Sequence, residues 1–230
     1  MLLSVPTWLI HLLTVSEWLA AILLLHRYGT LMRRPEPRLL AYAMVPHLLA
    51  GVCVLRFHAG SDGGTAWLAA ARVLTFAGSL ALATATLRIL LLLRGRGGHR
   101  SWLLWGSVPV LGLGWGLALA LGSDTPSTAI LRAANLGYLL FLVHLLLIHR
   151  RDRRLVPALS IAGFWLLLVF VAVTITTTHI AVDLHGLPSL SHDDLLHALS
   201  EATMTLSNSL VALGAYLAVR HQRRAAAPVV

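Results

Sequence analysis

The sequence predicts an all-α polytopic membrane protein of seven transmembrane helices, and three observations carry that reading. Of its 230 residues, 57% are hydrophobic and only 12% charged, with a mean hydropathy of +0.78. A soluble domain of this size needs more charge to cover its surface. Apolar runs recur at about twenty residues, the length a helix needs to cross about 30 Å of hydrocarbon. The basic residues, all of them arginine, gather in alternate linkers between those runs.

The spans fall near 6–26, 39–57, 65–93, 101–122, 128–148, 155–178 and 195–219. The first has no basic leader, and a basic loop follows it in place of a small-residue cleavage site, so it reads as a span. Four segments, "RYGTLMRRPEPR", "RGRGGHR", "RRDRR" and the tail "RHQRR", hold fourteen of the eighteen arginines. The alternate linkers hold none and carry Asp62, Asp124, Asp183, Asp193 and Asp194. This alternation predicts an N-terminus outside and a C-terminus in the cytoplasm. The Gly- and Arg-rich "RGRGGHR" divides the chain into a three-helix half, 1–98, and a four-helix half, 99–230, packed as one bundle. Spans two and three echo spans six and seven: Thr75 and Ser79 match Thr205 and Ser209. Both pairs run in the same sense, which predicts a parallel repeat about an axis normal to the membrane.

The formal charge of +9 follows from the positive-inside pattern, so the expected partner is the lipid bilayer and not nucleic acid. Cys53 stands alone in an apolar run, which excludes an intrachain disulfide and a cysteine metal site. No nucleophile elbow, phosphate loop, HExxH or CxxC occurs. "GLGWG" (Gly112–Gly116) reads as helix packing, because no strand precedes it.

Chemistry concentrates in polar stripes. In span seven Asp194, His197, Glu201, Thr205 and Asn208 are spaced three, four, four and three apart, which is one face of a helix. Span one repeats the pattern with Thr7, His11, Thr14 and Glu17, and span three with Arg72, Thr75, Ser79 and Thr86. Span five opens with Arg132 and Asn135, and span two adds His47, Arg56 and His58. Ionisable groups facing lipid are costly, so these faces are expected to turn toward the bundle interior or a cavity. Their depth makes the interior lopsided, polar toward the outside and apolar toward the cytoplasm. His197 and Glu201 suit a divalent metal, a ligand or pigment contact, or a structural pairing in which Glu201 neutralises Arg72 or Arg132. His11 and His197 lie at a depth that two axial ligands of one haem would share. Asp193 or Asp194 can cap the last helix. Glu17, near the midplane, is a functional candidate by its position.

Two stretches resemble known families. "LSVPTWLIHLLTVSEWLAAILLLHRYG" (Leu3–Gly29), with "RFHAG" and "LTFAGSLAL", resembles the plastid and cyanobacterial family called hypothetical chloroplast reading frame forty-nine. "GFWLLLVFVAVTI" (Gly163–Ile175), with "LHG" and "LLHALSEATMTLSNSLVALG", resembles a second cyanobacterial membrane family, and here the two are fused. The resemblance singles out Pro6, Trp8, His11, Glu17, Trp18 and His58, then His185, Gly186, His197, Glu201 and Asn208. The chain departs from the families at Ser79, where the first has Asn, and at Ala198, where the second has Gly. The resemblance implies a phototrophic or related bacterium, a place in the bacterial cytoplasmic (inner) membrane, and an accessory role beside other membrane subunits.

The combined expectation is an accessory or cofactor-binding subunit that holds haem, a pigment or a metal. Its candidate site is outward-facing and comprises His11, Glu17, His58, His185, His197, Glu201 and Asn208, with His197 and Glu201 as the metal ligands. The alternative is an intramembrane metal-dependent enzyme or small-solute transporter built on the same residues.

Overall fold

The computed structural model describes residues 3–60, 64–95, 101–123 and 125–225. The loop groups Asp62, Asp124, Arg96 and Arg100 lie outside the described residues. Eight α-helices follow one another: α1 Val5–Leu31, α2 Pro35–Ala43, α3 Val45–Ala59, α4 Thr65–Leu93, α5 Ser101–Leu121, α6 Pro126–Arg151, α7 Ala158–His179 and α8 Asp194–Ala225. Helices α2 and α3 make one crossing, so the described residues hold seven stretches long and apolar enough to cross a membrane. The predicted seven-helix class stands.

The boundaries move where turn chemistry decides them. The second span begins at Pro35, not near 39, because Pro35 takes the first position of α2, where its missing N–H costs nothing. The span then breaks at Met44, since Pro46 cannot donate within the helix. The Met44 carbonyl accepts the Trp18 indole N–H at 3.1 Å beside the His47 N–H at 3.2 Å, which ties α1 to the break inside the apolar bundle. The last helix runs on to Ala225, since arginines past the span are good helix formers whose heads reach solvent.

At one end of the bundle, called here the arginine end, a tight corner turns α1 into α2. Gly29 makes it: a Cβ there would meet Arg38 Cγ at 2.8 Å and the Arg34 carbonyl at 3.0 Å. Arg34 then donates to Glu36 at 2.9 and 3.1 Å and reaches Asp152 at 3.4 Å, tying the corner to the α6–α7 loop. Between α7 and α8 two glycines allow backbone contact. Ser160 Oγ donates to the Val211 carbonyl at 2.9 Å, and Ser207 Oγ donates to the Gly163 carbonyl at 2.8 Å. Small residues and hydroxyl-to-carbonyl bonds are how membrane helices hold together where lipid removes the hydrophobic drive.

The apolar core fills the arginine half. Trp18, Leu25, Leu40, Met44, Leu82, Leu90, Phe141, Leu145, Phe164 and Val211 form one buried cluster. The polar stripes occupy the other half, here called the histidine end. The sequence expectation for span five does not hold. Arg132 and Asn135 are exposed on α6 and do not face the interior, because Ala129, Ala133 and Ala134 take the buried face that lets α6 lie close to α4.

Candidate functional site

Helices α1 and α8 run parallel along a polar seam, and α3 closes its side. At the mouth, Asp194 Oδ1 accepts the Ser4 N–H at 3.0 Å and the Thr7 hydroxyl at 2.8 Å. Asp193 caps α8, its Oδ1 accepting the Leu196 N–H at 3.1 Å. One turn deeper, His11 Nε2 lies 3.2 Å from His197 Nε2. The ring of His58, at the end of α3, stands 4.8 Å from that of His11 and 5.1 Å from that of His197. All three histidines are buried, at 3%, 7% and 6% exposure for His11, His58 and His197. One ring nitrogen from each falls within 4.8 Å of the others.

Glu201 stands behind His11, not behind an arginine. Its Oε2 is 3.4 Å from His11 Nδ1, an ion-pair distance without the alignment of a hydrogen bond. That oxygen is buried and has no hydrogen-bond partner among the described residues. Arg72 instead donates to the Thr128 hydroxyl on α6 at 3.5 Å. The expected Glu201–Arg72 or Glu201–Arg132 neutralisation therefore does not form. The i, i+4 spacing puts His197 and Glu201 on one face, but α1 inserts His11 between them.

Below the histidines the seam continues through hydroxyls. Thr14 and Thr205 share a hydrogen bond of 2.6 Å, and Asn208 Nδ2 donates to the Thr14 carbonyl at 3.2 Å. Ser209 donates to Glu17 Oε1, while Glu17 Oε2 is buried without a hydrogen-bond partner among the described residues. Glu17 and Asn208 thus belong to the seam but lie deeper than the histidine group. His185 is not brought in: it is exposed and sits 3.3 Å from Asp193. His47 packs under Trp18, with a ring separation of 6.0 Å, where Gly78 leaves room for its imidazole. His144 meets the Thr86 hydroxyl at 3.3 Å on the α4–α6 contact.

The His11–His197 pair suits a small ion, and the His58 nitrogen, within 4.8 Å of both, would close on it by a small ring movement. Two nitrogens bound to one tetrahedral metal at about 2.0–2.1 Å stand about 3.3 Å apart, and the His11–His197 separation is 3.2 Å. Axial nitrogens on opposite faces of one haem iron would stand about 4 Å apart with a porphyrin between them. A carboxylate behind the far nitrogen of a ligating imidazole fixes its tautomer and strengthens it as a donor. Sequence reasoning missed Ser4, whose backbone N–H helps close the mouth. The signal was the "SVP" run, an N-cap hydroxyl before Pro6, and Ser4 Oγ does accept the Thr7 N–H at 3.5 Å.

Thr205 gives a prediction that separates the seam from the histidines. Thr205→Val removes one hydroxyl of a buried pair and should lower stability by about 1 kcal/mol. It should leave the histidine geometry, and any ion bound there, unchanged. Thermal unfolding and metal analysis of the variant check both halves of that statement.

Residues 2–88 match a family described as "Protein of unknown function (DUF2499)", and residues 127–220 match one described as "Protein of unknown function (DUF3593)". Over 74 residues the chain is 38% identical to the "Ycf49-like protein" of Synechocystis sp., covering 32% of this chain and 71% of that protein. The chain belongs to the Ycf49-like family. No solved structure matches it. Both expected resemblances are borne out, and the two matched regions fit a fusion. The histidine group is divided between them: His11 and His58 lie in the first region, His197 and Glu201 in the second.

Proposed function

We propose that this Ycf49-like protein is a multi-pass membrane subunit that binds one transition-metal ion at His11, His58 and His197, with Glu201 orienting His11. The observation that carries the reading is the convergence of three buried imidazoles from three helices, with ring nitrogens within 4.8 Å. Imidazole donors suit zinc, copper, iron or nickel. The buried, unbonded Glu201 oxygen supports a cation nearby, because a bare buried carboxylate is costly. Three protein ligands leave a position for a water, substrate or partner's ligand, as in sites where the metal acts and is not merely structural.

The arginine pattern supports a topology with the histidine end outside and the arginine end in the cytoplasm. The family resemblance supports a bacterial cytoplasmic membrane. An accessory role beside another membrane subunit is supported by Arg132 and Asn135, polar groups exposed on the lipid-facing side of α6, where a partner would relieve their cost.

The test is elemental and optical analysis of protein purified from its native membrane in mild detergent. One zinc, copper, iron or nickel per chain without a Soret or pigment band is expected. A haem or pigment spectrum, or a chain free of metal that gains no thermal stability from added zinc or copper, contradicts the reading.

A further inference from the structure

The two halves meet along two seams of parallel helices, α1 against α8 and α4 against α6. On one, His11 faces His197, Thr14 faces Thr205 and Glu17 faces Ser209. On the other, Arg72 faces Thr128, Ser79 faces Gly137 and Thr86 faces His144. The helix contacts of the two units correspond: α3 packs on α4 as α7 packs on α8, and α1 meets α8 as α6 meets α4. Each unit enters at the histidine end and leaves at the arginine end.

The family boundaries fall on the same units. Residues 2–88 cover α1 to most of α4, residues 127–220 cover α6 to most of α8, and α5 lies in neither. The Synechocystis relative, of which 74 residues make up 71%, is about 104 residues long and has no room for a second unit of this size.

Two units that both start at the histidine end cannot be joined by a loop. The first ends at the arginine end, so the connection must cross back once. Helix α5 makes that crossing. It carries no acid, arginine or histidine, and Gly116 is its one buried residue. It leans on Phe76 and Leu80 of α4 through Gly116 and Gly112, where a Cβ would overlap those side chains.

We propose that this protein is a two-module complex joined in one chain, with α5 as the connecting span. The face made by α1 and α4 is a docking surface for a three-span module of the second family, and the metal centre forms only across that interface. A chain ending after α4 would offer His11 and His58 to this group but not the third imidazole, His197. The partner it fits is a separate membrane polypeptide bearing a His-x-x-x-Glu pair on its last helix. The metal part of this proposal rests on the function proposed above; the docking part does not.

The experiment uses the full chain with a protease site in place of Gly97 and Gly98 and an affinity tag at the C-terminus. After cutting in the membrane and solubilisation in mild detergent, the tagged fragment should retain the N-terminal fragment at about one to one. It should also keep the metal content of the uncut chain. Gly137→Leu, which wedges α4 from α6, should cut that retention at least tenfold. Loss of the N-terminal fragment from the unmutated cut protein overturns the docking surface, and so does full retention in Gly137→Leu. Retained fragments that lose metal overturn the shared centre. If the uncut chain holds no metal, the metal reading falls while retention still decides the docking. A second chain, with Ser101–Leu121 replaced by an unrelated Leu/Ala helix of equal length that keeps only Gly112 and Gly116, should insert and behave as the original; failure to do so overturns the connecting role of α5.

Discussion

Replacing His197 by leucine is expected to abolish metal binding while the protein still folds and inserts. In the proposed site the imidazole is one of three donors, and two imidazoles left in an apolar seam would hold an ion far more weakly. The fold does not depend on this residue, because the buried apolar cluster lies in the opposite half of the bundle. Leucine fills a similar volume among His11, His58 and the walls of the seam. His11→Leu and His58→Leu should give the same loss, since each removes one donor of the same set. Glu201→Gln should be milder, weakening affinity about 10- to 100-fold, the usual effect of losing the group that orients a ligating histidine. Metal content per chain, read beside a monodisperse elution profile, measures all four. Metal retained at the original level in His197→Leu would make the histidine group a buried structural seam.

The largest stability loss is expected at Gly163. A Cβ there would stand 2.7 Å from the Ser207 carbonyl oxygen and 2.7 Å from the Val211 nitrogen. Both are backbone atoms, so no side chain can rotate away. Helix α7 must part from α8, and the reciprocal Ser160–Val211 and Ser207–Gly163 bonds stretch together. Overpacking plus two weakened interhelical bonds gives a loss of about 3 kcal/mol for Gly163→Ala. Gly114→Ala is the control: nothing lies within 4 Å of its added Cβ, and its stability should not change. Thermal unfolding in one detergent compares the two. Equal midpoints would mean that α7 and α8 do not approach this closely.

Much of this architecture is legible in the residues themselves. Apolar run length located seven crossings, and the span read at 65–93 coincides with α4. Helical spacing alone put His11 on the face of α1 and His197 on the face of α8 that meet. What spacing does not contain is which helix lies opposite. Glu201 was weighed against Arg72 and Arg132, yet its neighbour is His11, because α1 and not α4 or α6 packs on that stripe of α8. The stripe of Arg132 and Asn135 points outward for a related reason. Helix α6 buries its alanine face, Ala129, Ala133 and Ala134, against its neighbours, which leaves the Arg132 and Asn135 side outward. His185 carries the resemblance to the second family but is set apart by the turn at Gly186, whose φ of 69° redirects the chain between α7 and α8. The break at Met44 was hidden because Pro46 lies in an apolar run whose hydropathy gives no sign of a bend.

The most direct measurement of the proposed metal centre is X-ray absorption at the metal edge of the protein as purified, compared with His197→Leu. The proposed centre predicts one ion per chain with nitrogen and oxygen neighbours at about 2.0–2.1 Å and the outer-shell scattering of three imidazoles, all lost in the variant. A sulfur neighbour, a porphyrin pattern, or an imidazole signal unchanged in His197→Leu would contradict it.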